Sequence, residues 1–156
     1  MIKLHFKTRW VVSEQYGGVP LKIIRLIADV QFLKPDGSLS KIYQAIVDTG
    51  AHTSTLPATI WQEIQFAIKT EEAWLSGIND RPECRILTLI AEIEGILSDD
   101  EGHCTKPLQF LSFLTKTDRV PLLLGVAGIL EKYHLYWDYQ NQMAYLQKKR
   151  KRPTGV

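Results

Sequence analysis

Ala45-Ile46-Val47-Asp48-Thr49-Gly50-Ala51, carried on to Ser54, is an apolar run that ends in a carboxylate, a small hydroxyl and a glycine. The apolar part reads as a buried strand and Asp-Thr-Gly as the tight turn it feeds. A carboxylate delivered against apolar neighbours must be paired, hydrogen-bonded or protonated, which makes Asp48 a candidate for chemistry. Asp and Gly are also favoured turn residues, so the three residues taken alone say no more than turn. What stands on either side decides the reading.

Upstream, Leu21 to Leu33 is rich in Ile, Leu and Val, Lys34-Pro35-Asp36-Gly37-Ser38 presets a tight turn, and Leu39 to Val47 returns. The pattern predicts a β-hairpin whose second arm runs into Asp48. Before it, residues 2–12 read as one or two short strands, ended by the turn signal Tyr16-Gly17-Gly18-Val19-Pro20. Downstream, Thr53 to Leu56 is extended, and Pro57 opens a short helix over Ala58 to Phe66 with Ile60, Ile64 and Trp61 inward. Trp74 to Pro82 forms the rising arm and tip of another hairpin, with Gly77 and Asn79-Asp80 as turn formers and Arg85 to Ile93 as the falling arm. Ser98-Asp99-Asp100-Glu101-Gly102 reads as a solvated acidic loop, since it lacks the spacing of a calcium loop. Leu108 to Leu114 is a strand. Val120 to Leu130 is an apolar strand that ends at Gly125 and passes into a short helix, Ile129 to Tyr133; His134 to Tyr139 and Met143 to Gln147 follow as aromatic-rich strands. The expected fold class is mainly β, with one or two short helices.

The 156 residues fit a single domain, expected over 1–147, and the 45% hydrophobic and 23% charged content is that of a globular protein. No apolar run approaches the roughly 18 residues of a membrane span. Met1-Ile2-Lys3-Leu4-His5-Phe6-Lys7 alternates polar and apolar residues and shows no signal-peptide pattern, so the expected location is cytoplasmic. Cys84 and Cys104 are too few for a disulfide framework and are expected as free thiols. His52, His103, Cys104 and His134 lack the paired spacing of a zinc site, so no metal is expected. Lys148, Lys149, Arg150, Lys151 and Arg152 hold five of the 19 basic residues, leaving 14 basic against 17 acidic groups before them. The basic character is therefore a tail, 148–156, expected to be flexible and solvated; it is the sole feature that speaks for nucleic acid, which is not an expected partner.

An apolar strand ending in Asp48-Thr49-Gly50-Ala51, with Ser54 and Leu56 beyond it, a flap-like hairpin near Gly77, and Leu123-Leu124-Gly125 before a late helix, resembles the retropepsin-like aspartic proteases. The order and spacing of these features match over roughly residues 21–147. The resemblance implies a closed, barrel-like acid-protease fold with a flap hairpin, an N-terminal extension over 1–20, and no cofactor. It implies that Asp48 is the catalytic acid, that Thr49 and Gly50 support it, and that Ala51, Ser76, Gly77, Ile78, Leu123 and Leu124 contact an extended peptide. Such enzymes need two carboxylates sharing one proton. The chain has a single Asp-Thr-Gly, so a homodimer with the two Asp48 side chains across a twofold axis is implied.

Two departures stand out. Viral members commonly carry an acid four residues beyond the catalytic Asp and an arginine directly after the late glycine, a pair that braces the dimer; here these positions are His52 and Val126. With the first 20 residues and the acidic loop, this points to a cellular or bacterial relative. The rival expectation is a catalytically silent retropepsin-like module for dimerisation or peptide binding. A phosphate loop of a sugar-kinase or actin-like ATPase is set aside, because 156 residues without a Gly-rich, Lys-containing motif cannot supply two large lobes.

Overall fold

Short polar turns between β-rich segments lay out the chain. A computed structural model of the protein describes residues 1–76 and 82–150. The strands are β1 (Ile2–Val11), β2 (Leu21–Phe32), β3 (Tyr43–Val47), β4 (Ser54–Leu56), β5 (Phe66–Leu75), β6 (Ile86–Ser98), β7 (Leu108–Thr115), β8 (Leu123–Leu124), β9 (Tyr133–Asp138) and β10 (Met143–Lys148). Among the described residues, helix is confined to α1 (Ala58–Trp61) and three single 3-10 turns, and none is long and apolar enough to cross a membrane.

The expected hairpin into Asp48 is present. Gly37 takes φ 83°, a left-handed conformation that glycine adopts without strain, and the Asp36 carboxylate accepts the Ser38 N–H at 2.9 Å. The returning arm pairs with β2 from Tyr43 opposite Val30 to Ile46 opposite Ile27. It forms regular strand only from Tyr43; Leu39 contributes an isolated bridge to Leu33.

The ten strands form one sheet in the order β5-β6-β7-β4-β8-β3-β2-β1-β10-β9, and an added β2–β6 pairing bends it into a partial ring. The expected closed barrel is thus coarser in fact: a mainly β sheet, partly ringed, from which β5 leaves on one side and β1-β10-β9 on the other. Strand β2 holds the junction, with β3 along one edge and β1 followed by β6 along the other. Alternation explains its placement. Ala28, Val30 and Phe32 are buried and Asp29 and Gln31 between them keep partial exposure, while Leu26 and Ile27 are buried together where β1, β2 and β3 meet.

Residues 1–20 are no appendage. In β1, Ile2 to Leu4 pair with Leu146 to Ala144 of β10, and His5 to Val11 pair with β2. Ile2 and Leu4 are 3% and 4% exposed and belong to the core. The expected boundary of the tail also moves, because Lys148 still pairs with Tyr133 in the β9–β10 ladder and the Lys149 N–H is bonded to the Lys132 carbonyl. Residues 151–156 lie outside the described part.

Both expected helices are shorter than their apolar spacing suggests. Pro57 offers α1 no side-chain cap, and Phe66 has already joined β5, pairing with Ile93. Ile60 and Ile64 are nonetheless buried, and the Trp61 indole N–H is bonded to the Thr115 carbonyl at 2.7 Å. The late helix reduces to a 3-10 turn, Leu130–Lys132.

The acidic loop is exposed at Asp100, Glu101 and Gly102, as expected of a solvated loop, and Asp99 is the exception. The Asp99 side chain is 1% exposed. It accepts N–H groups from Lys3 at 3.0 Å, Glu101 at 3.0 Å and His103 at 2.9 Å, with the His103 Nδ1 at 3.0 Å. Burial pushes this carboxyl up, but the hydrogen bonds from Lys3 and His103 outweigh it and hold it down at about 2. The loop is a clasp between the start of β1 and the β6–β7 turn.

Candidate active site

Asp48 is placed by a crossing of two chain segments. Strand β8 runs parallel to β3, and the Ile46 and Asp48 N–H groups are bonded to the Leu122 and Leu124 carbonyls at 2.9 and 3.0 Å. Strand β4, which follows the Asp48 turn, lies between β7 and β8. Immediately after β8 the chain passes against the 51–54 loop. The Gly125 N–H is bonded to Ser54 Oγ at 2.9 Å, Val126 N–H to the Ala51 carbonyl at 2.9 Å, and Ala127 N–H to the His52 carbonyl at 3.0 Å. A Cβ on Gly125 would stand 2.6 Å from the Thr53 carbonyl carbon and 2.9 Å from the Ala51 oxygen, both backbone atoms. Only glycine fits there, which gives Leu123-Leu124-Gly125 a physical reason to end as it does.

The Asp48 carboxylate is half-buried and accepts the Gly50 N–H on Oδ1 at 2.9 Å. Among the described residues its Oδ2 carries no hydrogen bond. Gly50 permits a close approach, since a Cβ there would lie 3.3 Å from Oδ1. Asp48 opens into a cleft of about 690 Å³ lined by Gly50, Ala51 and His52 together with Leu75, Ser76, Cys84 and Ile86 of the β5–β6 hairpin. Thr53, Thr55, Phe113, Val120, Pro121 and Leu123 complete it. On its other flank, Asp48 and the exposed Thr49 border a groove of about 230 Å³ that includes Leu135 and Trp137 of β9 and Tyr139 just beyond it.

The structure therefore brings together Asp48, Gly50, Ala51, Ser76 and Leu123, and sets Thr49 on the adjoining groove. Leu124 is a correction. It is 0% exposed and belongs to the core, because neighbours on a strand point to opposite faces and only one of the two leucines can face the cleft. Gly77 and Ile78 lie outside the described residues, as does the expected turn at Asn79-Asp80; the two arms do pair, from Leu75 opposite Ile86. Sequence reasoning missed His52, Thr53, Thr55, Leu75, Cys84, Ile86, Phe113, Val120 and Pro121. Alternation along β6 and β7 carried a usable signal for Ile86 and Phe113, whereas Val120 and Pro121 reach the cleft through an irregular loop.

Asp48 is the one carboxylate among the described residues lining the cleft. Among the described residues no group of three or more His, Cys, Asp or Glu side chains is gathered to hold a metal ion. Cys84 and Cys104 are free and exposed. No family model matches the chain, and no curated protein and no solved structure does either.

Proposed function

We propose that this chain is a homodimeric aspartic endopeptidase of the retropepsin-like kind. The observation that carries the reading is Asp48 itself: a carboxylate with one oxygen unbonded among the described residues, held by a backbone crossing in a cleft that residues of the β5–β6 hairpin also line. In the proposed mechanism two Asp48 carboxylates from two copies share one proton. One acts as base toward a water that attacks the peptide carbonyl, and the other donates to the developing alkoxide. Gly50 N–H fixes the carboxylate plane, the β5–β6 hairpin covers an extended substrate, and Leu123 and Phe113 supply apolar walls.

The proposed dyad needs a second copy because the described residues of one chain bring one acid to the cleft. Two features support its docking beside Thr49. Strand β9 is one edge of the sheet, and it exposes Tyr136 and Trp137 at 42% and 48%, with Tyr139 just beyond it at 46%. Such an edge is a template for pairing with an identical strand. The test is a peptide-library digest at mildly acidic pH with the wild type and Asp48→Asn, alongside the mass of each in solution. Cleavage by a dimer, lost in Asp48→Asn and blocked by a mimic of the tetrahedral diol, is expected. Full activity in Asp48→Asn, or activity of a strict monomer, overturns the proposal. Peptide binding without cleavage would assign the chain to the silent binding module instead.

A further inference from the structure

We infer that the Asp48 cleft selects peptides bearing an acidic side chain, with the imidazole of His52 as the receptor for that carboxylate. The inference rests on the endopeptidase reading above and deepens it by naming a substrate class. His52 lines the same cleft as Asp48, four residues further along the chain, and is exposed to solvent.

His52 is held in three ways. Its carbonyl accepts the Ala127 N–H at 3.0 Å, which fixes the backbone. Its Nδ1 lies 2.7 Å from Thr53 Oγ1, and its ring meets Phe113 edge-on, centroids 6.1 Å apart at 68°. Among the described residues nothing is bonded to Nε2, so this nitrogen is the atom left for a ligand.

The surroundings decide what that ligand is. Among the described residues lining the cleft there is no Lys and no Arg, and the ionisable groups are Asp48, Cys84 and His52. Ile86, Phe113, Val120, Pro121 and Leu123 are apolar and cannot compensate a desolvated carboxylate. Asp48 repels one. A substrate acid entering the cleft therefore finds a ring N–H donor at His52, and a hydrogen bond to an ionised carboxylate is about twice as strong as a neutral one. Among the described residues lining the cleft, a cationic substrate side chain finds no carboxylate other than Asp48, the acid that the reaction needs free.

The test uses matched peptides that differ only by Glu against Gln, placed in turn at each position around a cleaved bond. Wild type is expected to prefer Glu by about tenfold or more in kcat/KM at one position. The His52→Gln variant should bring that ratio close to one, and His52→Arg should restore it. Because each ratio is internal to one preparation, partial unfolding of a variant cancels.

A second arm measures binding of the same fluorescent peptides to Asp48→Asn by anisotropy. Cleavage with a Glu-to-Gln ratio near one at every position, or a preference that His52→Gln leaves intact, overturns the inference and leaves the endopeptidase standing. A His52-dependent binding preference in a protein whose wild type cleaves nothing overturns the endopeptidase and leaves the acid receptor standing.

Discussion

Asp48 follows β3 and Asp99 follows β6, each as the first residue after its strand. The Asp99 carboxylate takes three backbone N–H groups and the His103 imidazole and is 1% exposed. The Asp48 carboxylate takes one N–H, from Gly50, and faces a cleft. The difference separates an acid whose lone pairs are used up in holding the chain from one that keeps an oxygen for something else. Asp99 lies in the more acidic stretch and draws the eye as a cation site, yet its bonding leaves it nothing to offer a ligand.

The contrast can be broken most directly by Asp48→Asn. The amide keeps an oxygen for the Gly50 N–H but cannot act as base, so kcat/KM should fall about a thousandfold or more. The urea unfolding free energy should shift by less than about 0.5 kcal/mol. Asp99→Ala should do the reverse. It strips acceptors from the Lys3, Glu101 and His103 N–H groups and should cost about 2–3 kcal/mol in the same unfolding experiment, with cleavage per folded molecule retained.

The pH dependence sharpens the same comparison. With its folded value lowered from 3.8 to about 2, Asp99 contributes stability that is fully present above pH 3.8 and lost as pH falls through about 2. Unfolding monitored across that window should fall more steeply for the wild type than for Asp99→Ala.

Gly50→Ala tests the Asp48 side at smaller scale. The new Cβ would stand 3.3 Å from Oδ1 and push the carboxylate by a few tenths of an ångström. A loss of about tenfold in kcat/KM is expected, with stability changed by less than about 1 kcal/mol. The smallest effect is expected for Lys3→Ala. The exposed Lys3–Glu101 ion pair disappears, but the Lys3 backbone N–H that Asp99 holds remains, so the unfolding midpoint should not move measurably.

Strands built from Ile, Leu and Val and turns built from Pro-Asp-Gly were legible in the sequence, because period-two burial and turn chemistry are local. The pairing of Asp48 with Leu123-Leu124-Gly125 was legible as a juxtaposition, and its physical basis, the Gly125 crossing, needed coordinates. What failed had non-local causes. Residues 1–20 looked like an extension because nothing in Ile2 to Leu4 announces that their partner is Ala144 to Leu146. Asp99 looked solvated because three of its donors sit within four residues and the fourth, Lys3, is 96 residues away. Leu124 was placed in the cleft by analogy where alternation alone would have sent it inward. His52 registered only as a missing brace, although its neighbours Thr53 and Phe113 fix its ring in the cleft.

The ladder between residues 2–4 and 144–146 also has a kinetic side. Contacts so distant along the chain form slowly, since loop closure opposes them until most other structure is in place. During synthesis the N-terminal half of β1 must wait, with its edge bare, until the segment around Leu146 has left the ribosome. Bulk fused close to Ile2 is thus expected to hinder the closing step of folding.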